Sequence, residues 1–302
     1  MSQRTRLVVL VTLAAACGAG AGAPVKEFDG AIALARIGQQ VAFGPRIPGQ
    51  PGHAREAAWL DSLSHTQADS VTVQRWWHHA ASGDSVEMIN ILAQFNPKAT
   101  QRVLYVAHWD SKPTADRDPT NKTAPMPGAD DGGSGVAVLL GVADALHKLR
   151  PDVGVDLLYV DGEDYGTFGP PEVDVLVGAT YYASHPIVAG RPLFGVLWDM
   201  IGHKDLRIPI EMNSQVAAPD VVDRVWKVAA QMGYAEIFTQ NKTGGITDDH
   251  IPLINAGMPV IDVIDISYPY WHTTQDTPDK ESAQSLTAVG NVAVGVIRRA
   301  LK

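Results

Sequence analysis

Five short polar segments contain most of the residues in this sequence that could do chemistry. They are His108-Trp109-Asp110, the glycine-rich stretch 130–135, Glu163-Asp164, the stretch 199–202, and Trp271-His272. Each follows a run of apolar residues that is typical of a strand. Imidazole nitrogen and carboxylate oxygen are donors that suit zinc, and side chains from separate elements can share one ion. The pattern therefore predicts a metal-dependent enzyme.

Strands and helices must alternate along the chain to position these segments. Apolar runs indicate strands at 70–77, 86–95, 103–107, 155–160, 194–198 and 259–264. Helical spacing of apolar residues indicates helices at 54–63, 136–146, 221–232 and 286–297, and the Gly/Pro-rich stretch 43–52 is predicted to be a loop. This alternation predicts an α/β fold with three α/β/α layers and a mixed, mostly parallel central sheet. Ligands of such sheets gather at the carboxyl ends of strands, where the polar segments fall.

The composition narrows the possible classes of protein. The 302 residues, 45% of them hydrophobic, can fill the core of one large α/β domain. No linker or repeat divides the chain beyond residue 25, so residues 26–302 are predicted to form a single catalytic domain, and a monomer is expected. The net charge of -9, without a basic cluster, argues against nucleic-acid binding.

The first 25 residues are predicted to be a targeting segment. Two arginines precede an uncharged apolar run at 7–16, which has the layout of a secretion signal and is too short to span a membrane. Cys17, the only cysteine, follows Leu-Ala-Ala-Ala and precedes Gly18, which resembles the lipobox of bacterial lipoproteins. We expect export to the bacterial cell envelope, anchored by a lipid on Cys17 and a short tether. The alternative is a cleaved signal and a free periplasmic or secreted protein.

Longer motifs resemble a known superfamily. The most specific are His108-Trp109-Asp110-Ser111-Lys112, Asp248-Asp249-His250-Ile251-Pro252 and Trp271-His272-Thr273. With the loop at 44–49, they make residues 26–302 similar to the zinc aminopeptidase and glutaminyl cyclase superfamily, and more particularly to animal-type glutaminyl-peptide cyclotransferases and their bacterial relatives. The aminopeptidase branch shares the other polar segments. The last two motifs favour the cyclase branch.

The resemblance implies one zinc ion held by Asp131, Asp164 and His272, with a fourth position open to water or substrate. Three protein ligands and an open position are also what a catalytic zinc site requires. Asp164 stands where the animal cyclases have glutamate. Because its side chain is one methylene shorter, either the backbone lies closer to the metal or the carboxylate binds differently.

The resemblance also implies a reaction, the conversion of the N-terminal glutamine of a peptide to pyroglutamate with release of ammonia. Glu163 would take a proton from the attacking α-amine and deliver one to the departing ammonia. Trp271 would pack against the substrate, while Asp248 and Asp199 would steady the substrate amide and Glu163 through hydrogen bonds.

Two other functions stay open at this point. In a two-zinc aminopeptidase, His108 and Asp199 would bind a second ion, Asp131 would bridge the two ions, and Glu163 would activate a water molecule. A catalytically silent surface-binding lipoprotein could use the same scaffold. Structural roles are also possible for single residues: Asp131 could cap a helix, Trp271 could fill the core, and Asp248 could cap a turn.

Overall fold

Residues 28–301 are described by the structure, a computed structural model of the chain. In this range helices and strands alternate in the order α1 Gly30–Ala42, α2 Pro51–Gln67, β1 Ser70–His79, β2 Ser85–Phe95, β3 Arg102–His108, α3 Gly133–Leu149, β4 Gly154–Val160, α4 Val177–Ser184, β5 Phe194–Asp199, β6 Ile208–Ile210, α5 Met212–Ala217, α6 Pro219–Gln231, β7 Phe238–Lys242, α7 His250–Asn255, β8 Val260–Ile264 and α8 Ala283–Ile297. This alternation confirms the predicted α/β class.

The central sheet is mixed, with six strands in the order β1-β2-β4-β3-β5-β8. Strands β4, β3, β5 and β8 run parallel, while β1 and β2 form an antiparallel edge. A separate pair of short parallel strands joins β6 to β7. The mostly parallel central sheet is therefore as predicted, and the carboxyl ends of its four parallel strands meet at one edge.

Alternate residues of β3 show how helices cover both faces of the sheet. Val103, Tyr105 and Ala107 point into the larger core, which includes buried residues of α1, α3, α6 and α8. Leu104 and Val106 point the other way, into a smaller core shared with α4 and α7. Because successive side chains of a strand face opposite sides, a wholly apolar strand requires cover on both. The three α/β/α layers are confirmed.

The structure contains several elements that were not predicted, including helices α4, α5 and α7 and the short strands β6 and β7. Helix α1 was not predicted; Asp29 caps it by accepting a hydrogen bond from the Ala31 backbone N–H at 2.9 Å. The predicted loop at 43–52 ends early, because α2 already begins at Pro51. Proline is favourable at the first position of a helix, where its missing N–H would have no partner in the helix.

The targeting segment and Cys17 lie outside the described residues, so export and lipid anchoring stay predictions. Among residues 28–301, no helix combines the length and the apolar character needed to cross a membrane.

Candidate active site

The predicted site residues come together at the carboxyl edge of the parallel strands. His108 ends β3 and Asp199 ends β5, while the loops after β4 and β8 carry Glu163-Asp164 and Trp271-His272. One pocket of about 240 Å³ contains seven of the predicted residues in its lining: Asp131, Glu163, Asp164, Asp199, Asp248, Trp271 and His272. His108 is fully buried beneath it and contacts Asp131 and Asp199.

A close approach between α3 and β3 places Asp131. A Cβ atom on Gly132 would lie 2.3 Å from the carbonyl oxygen of His108 and 2.7 Å from its Nε2, so only glycine permits this turn. The N-cap of α3 is Gly132, and no side chain caps this helix. The Asp131 carboxylate therefore does not serve as a helix cap and faces the pocket.

The first donor group consists of Asp131, Asp164 and His272. One potential ligand atom from each lies within 4.8 Å of the others. His272 Nε2 is 3.4 Å from Asp164 Oδ1 and 3.8 Å from Asp131 Oδ2. The Oδ2 atoms of both aspartates are buried without a hydrogen-bond partner among the described residues. Unpaired buried carboxylate oxygens are costly, and a divalent cation would compensate them, so these residues fit a zinc ion.

The second donor group shares Asp131 with the first. His108 Nε2 lies 3.1 Å from Asp131 Oδ1 and 3.2 Å from Asp199 Oδ1, and these three residues could also hold an ion. Burial disfavours the charged imidazole, but hydrogen bonds to neighbouring carboxylates outweigh it and raise the pKa of His108 well above its usual value. A charged His108 can thus join Asp131 to Asp199 without a second metal.

Opposite pKa shifts distinguish the adjacent carboxyl groups Glu163 and Asp164. Burial and the charge of Asp164 raise the pKa of Glu163 well above its usual range. Burial also opposes ionisation of Asp164, but Lys112 and His272 outweigh it and hold its pKa well below the usual value. Neighbouring groups whose pKa values diverge in this way are suited to different tasks. Asp164 is thus held as the negatively charged carboxylate that a metal ion requires, whereas Glu163 can take up and release a proton.

Two residues of the motif after β3 hold this pair in place. The carboxylate of Asp110 accepts backbone N–H hydrogen bonds from Glu163 and Asp164, both at 3.1 Å. Lys112 Nζ donates to Asp164 Oδ1 at 3.1 Å and leaves Oδ2 unpaired. The shorter side chain of Asp164 is therefore oriented by a buried ammonium group. The motif around His108 was recognised in the sequence, but the contacts of Asp110 and Lys112 were not predicted.

Asp248 and Trp271 combine structural contacts with a place in the pocket wall. Asp248 Oδ1 accepts the backbone N–H of Asp249 at 2.6 Å, while Oδ2 is buried and unpartnered among the described residues. Burial and the charge of Asp199 raise the pKa of Asp248 well above its usual value, so this carboxyl can donate a hydrogen bond. Trp271 packs against a small apolar cluster that includes Ile264 and also lines the pocket.

Behind Asp248 lies a third group of donors that was not predicted. Asp248, His250 and Asp262 are buried, and one potential ligand atom from each lies within 4.8 Å of the others. His250 Nε2 is 3.4 Å from Glu211 Oε2. Sequence motifs signalled His250 only as a neighbour of Asp248, because Asp262 and Glu211 reach it from elements distant along the chain.

His203 is a structural histidine with a partner on each ring nitrogen. Its Nδ1 lies 2.8 Å from Asp130 Oδ2, and its Nε2 lies 3.1 Å from Asp265 Oδ2. Burial disfavours the charged imidazole, but the two carboxylates outweigh it and raise the pKa of His203 to about 9. These contacts join the turn before α3 to the loop after β8.

We expect this raised pKa to make the stability of the fold depend on pH. Since the pKa of about 9 in the folded protein exceeds the ordinary histidine pKa of 6.5, the stabilisation is complete below pH 6.5 and is lost as the pH rises through 9. The free energy of unfolding should fall across this window by roughly 1–3 kcal/mol more in the wild type than in His203→Gln. Urea unfolding of both proteins at several pH values measures this difference. The prediction would be contradicted if the free energies of unfolding of wild type and His203→Gln changed in parallel with pH.

A mostly parallel sheet with buried histidine and carboxylate donors at its carboxyl edge, beside a glutamate of raised pKa, is the arrangement of an α/β enzyme with residues that could hold a metal ion. The model of the family described as peptidase family M28 matches residues 90–297. The chain belongs to this family.

Individual relatives confirm the fold and the resemblance drawn from the sequence motifs. The glutaminyl cyclase of Porphyromonas gingivalis is 37% identical with a TM-score of 0.86, over 90% of this chain and 98% of that one. A Zn-dependent exopeptidase from Parabacteroides distasonis is 35% identical with a TM-score of 0.85, over the same shares. The glutaminyl-peptide cyclotransferase of Bos taurus is 26% identical over 267 residues, which are 78% of this chain and 72% of that protein. These relationships support an enzymatic role and imply zinc.

Proposed function

We propose that this protein is a zinc-dependent glutaminyl-peptide cyclotransferase that converts the N-terminal glutamine of peptides to pyroglutamate and releases ammonia. The observation that carries the proposal is a buried, readily protonated Glu163 beside the donor group Asp131, Asp164 and His272 in one small pocket. Similarity to the cyclases of Porphyromonas gingivalis and Bos taurus supports this branch of the family.

In this proposal Asp131, Asp164 and His272 hold a single zinc ion. When bound, zinc supplies a Lewis acid that polarises the γ-carbonyl group of the substrate glutamine. The α-amine of the same residue forms the new C–N bond, and the bond between the carbonyl carbon and the amide nitrogen breaks. Glu163 takes the proton lost by the amine and returns one to the departing ammonia. No external nucleophile or oxidant is needed.

The pocket walls favour attack by the substrate's own amine over attack by water. Apolar side chains form much of the lining around the carboxylates: Phe168, Met200, Ile246, Ile264, Ile266 and Trp271. A volume of about 240 Å³ suits one glutamine side chain better than a longer peptide segment. With the substrate in place, such walls exclude water, and the amine and the carbonyl are held close together. Asp199 and Asp248 would hold the amide and Glu163 by hydrogen bonds.

A two-zinc aminopeptidase is the second candidate, because the structure brings together a second donor group. His108, Asp131 and Asp199 could hold another ion, and an exopeptidase is among the similar structures. In that case Glu163 would deprotonate a water molecule for attack on the peptide carbonyl. A silent binding protein has less support, since a glutamate with a raised pKa beside a metal site is of no use to a binder.

A paired assay distinguishes these functions. The purified protein is incubated with a glutamine-initiated dipeptide and, separately, with a leucyl chromogenic amide. Each incubation is carried out with zinc added and with zinc removed by a chelator. We expect zinc-dependent ammonia release from the dipeptide and no leucine release. Leucine release without cyclisation would establish the aminopeptidase instead, and zinc binding without turnover of either substrate would favour the silent protein.

A further inference from the structure

The connection after β3 contacts the loop of His272 through three consecutive residues. Asp116 Oδ1 lies 3.0 Å from His272 Nδ1. The backbone N–H of Arg117 donates to the His272 carbonyl oxygen at 3.1 Å. Asp118 Oδ2 accepts the backbone N–H of Thr274 at 2.9 Å and also the Thr274 hydroxyl. We call residues 116–118 the clamp segment. It holds the side chain and the backbone of His272 at the same time.

His272 needs such support because its backbone is strained. Its φ of 57° lies in the left-handed region, which residues other than glycine rarely adopt. A conformation of this kind persists only where surrounding contacts determine it. The clamp segment also contacts Trp271, the residue before His272: the guanidinium carbon of Arg117 lies 3.9 Å from the centre of the Trp271 ring. The clamp segment thus fixes the turn that aims His272 into the pocket.

The contact with Asp116 also selects one of the two neutral forms of the imidazole. If Nδ1 carries the proton that is donated to Asp116, then Nε2 has the free lone pair that a metal requires. Nε2 is the atom that faces Asp164 Oδ1 and Asp131 Oδ2, at 3.4 and 3.8 Å. The geometry therefore places the carboxylate on one side of the ring and the other metal donors on the opposite side.

We propose that Asp116 is a positioning residue, which fixes His272 in the orientation and the Nδ1-protonated form needed to bind the metal. This inference rests on the metal-ligand role of His272 in the proposed function. The Asp116 side chain is 50% exposed, whereas that of His272 is 5% exposed. Replacing the half-exposed Asp116 should therefore leave no cavity in the core, and its main effect should be on His272, whose Nδ1 loses its partner.

The proposal is tested by measuring the zinc affinity of two variants substituted at Asp116. In Asp116→Ala we expect the affinity, measured by competition with a chelator, to fall about 10–100-fold. Asp116→Asn keeps an acceptor oxygen and should recover most of this loss. The visible spectrum of the Co²⁺-substituted protein should shift in the alanine variant and return toward the wild type in the asparagine variant. Asp205→Ala, at an exposed position outside the pocket lining, is the matched control.

Each result separates a positioning role from a structural one. Wild-type zinc affinity and an unchanged cobalt spectrum in Asp116→Ala would overturn the proposal. Equal losses of affinity in both variants, accompanied by equal falls in melting temperature, would also overturn it, because the segment would then act only on folding. Weakened zinc binding in a protein that does not cyclise glutamine would support Asp116 as a positioning residue while rejecting the cyclase function.

Discussion

Glu163→Gln is expected to lower the turnover of a glutamine-initiated peptide by about 10²–10⁴-fold while the zinc content stays at the wild-type level. The amide cannot exchange the proton that the α-amine loses and the ammonia gains. Glu163 lies outside the group Asp131, Asp164 and His272, so the metal donors would be unaffected. Steady-state ammonia release and metal analysis by mass spectrometry measure the two effects.

Asp164→Asn is the matched comparison for this prediction, since it makes the same chemical change one residue away. Its neutral amide loses the charge that Lys112 and His272 stabilise, and we expect it to reduce the zinc content as well as turnover. If instead Glu163→Gln released the metal and Asp164→Asn retained it, the roles assigned to these two carboxylates would have to be exchanged.

The second large effect is expected from His272→Gln, which should remove zinc binding and turnover together. His272 supplies the only nitrogen donor of the first group, and two carboxylates alone make a poor zinc site. By contrast, His108→Gln should keep close to one equivalent of zinc, because the first group does not include His108. Zinc equivalents per chain after dialysis, with circular dichroism to verify folding, provide the measurement.

This comparison also tests the number of metal ions. If the protein is the proposed single-zinc cyclase, the wild type binds one equivalent of zinc, and a charged His108 joins Asp131 to Asp199 in place of a second ion. Two tightly bound equivalents in the wild type, one of them lost in His108→Gln, would contradict the single-zinc proposal. That result would favour the aminopeptidase candidate.

The sequence alone determined the class of fold and seven of the residues that line the pocket, including all of its carboxylates and its histidine. Wholly apolar runs such as those of β3 and β5 predicted strands covered on both faces, since an uncovered apolar strand would expose its side chains to water. Parallel strands present their carboxyl ends at one edge, so His108 and Asp199 could be placed near each other before any coordinates existed. The early start of α2 was missed because local patterns determine element ends poorly. Helix α1 was missed as a whole, and so were the short elements α4, α5, α7, β6 and β7, whose three to eight residues show little periodicity.

Only the tertiary structure determined which atoms of these residues face the pocket. The pairings of Lys112 with Asp164 and of Asp116 with His272 join positions 52 and 156 residues apart, and no local periodicity records such contacts. The left-handed backbone of His272 likewise depends on the clamp segment. Hydrophobic burial depends mainly on residue type, and it can therefore be predicted from the pattern of apolar residues in the sequence. The direction of a hydrogen bond or a metal donor depends on distances of a few tenths of an ångström, which are settled when distant loops pack together.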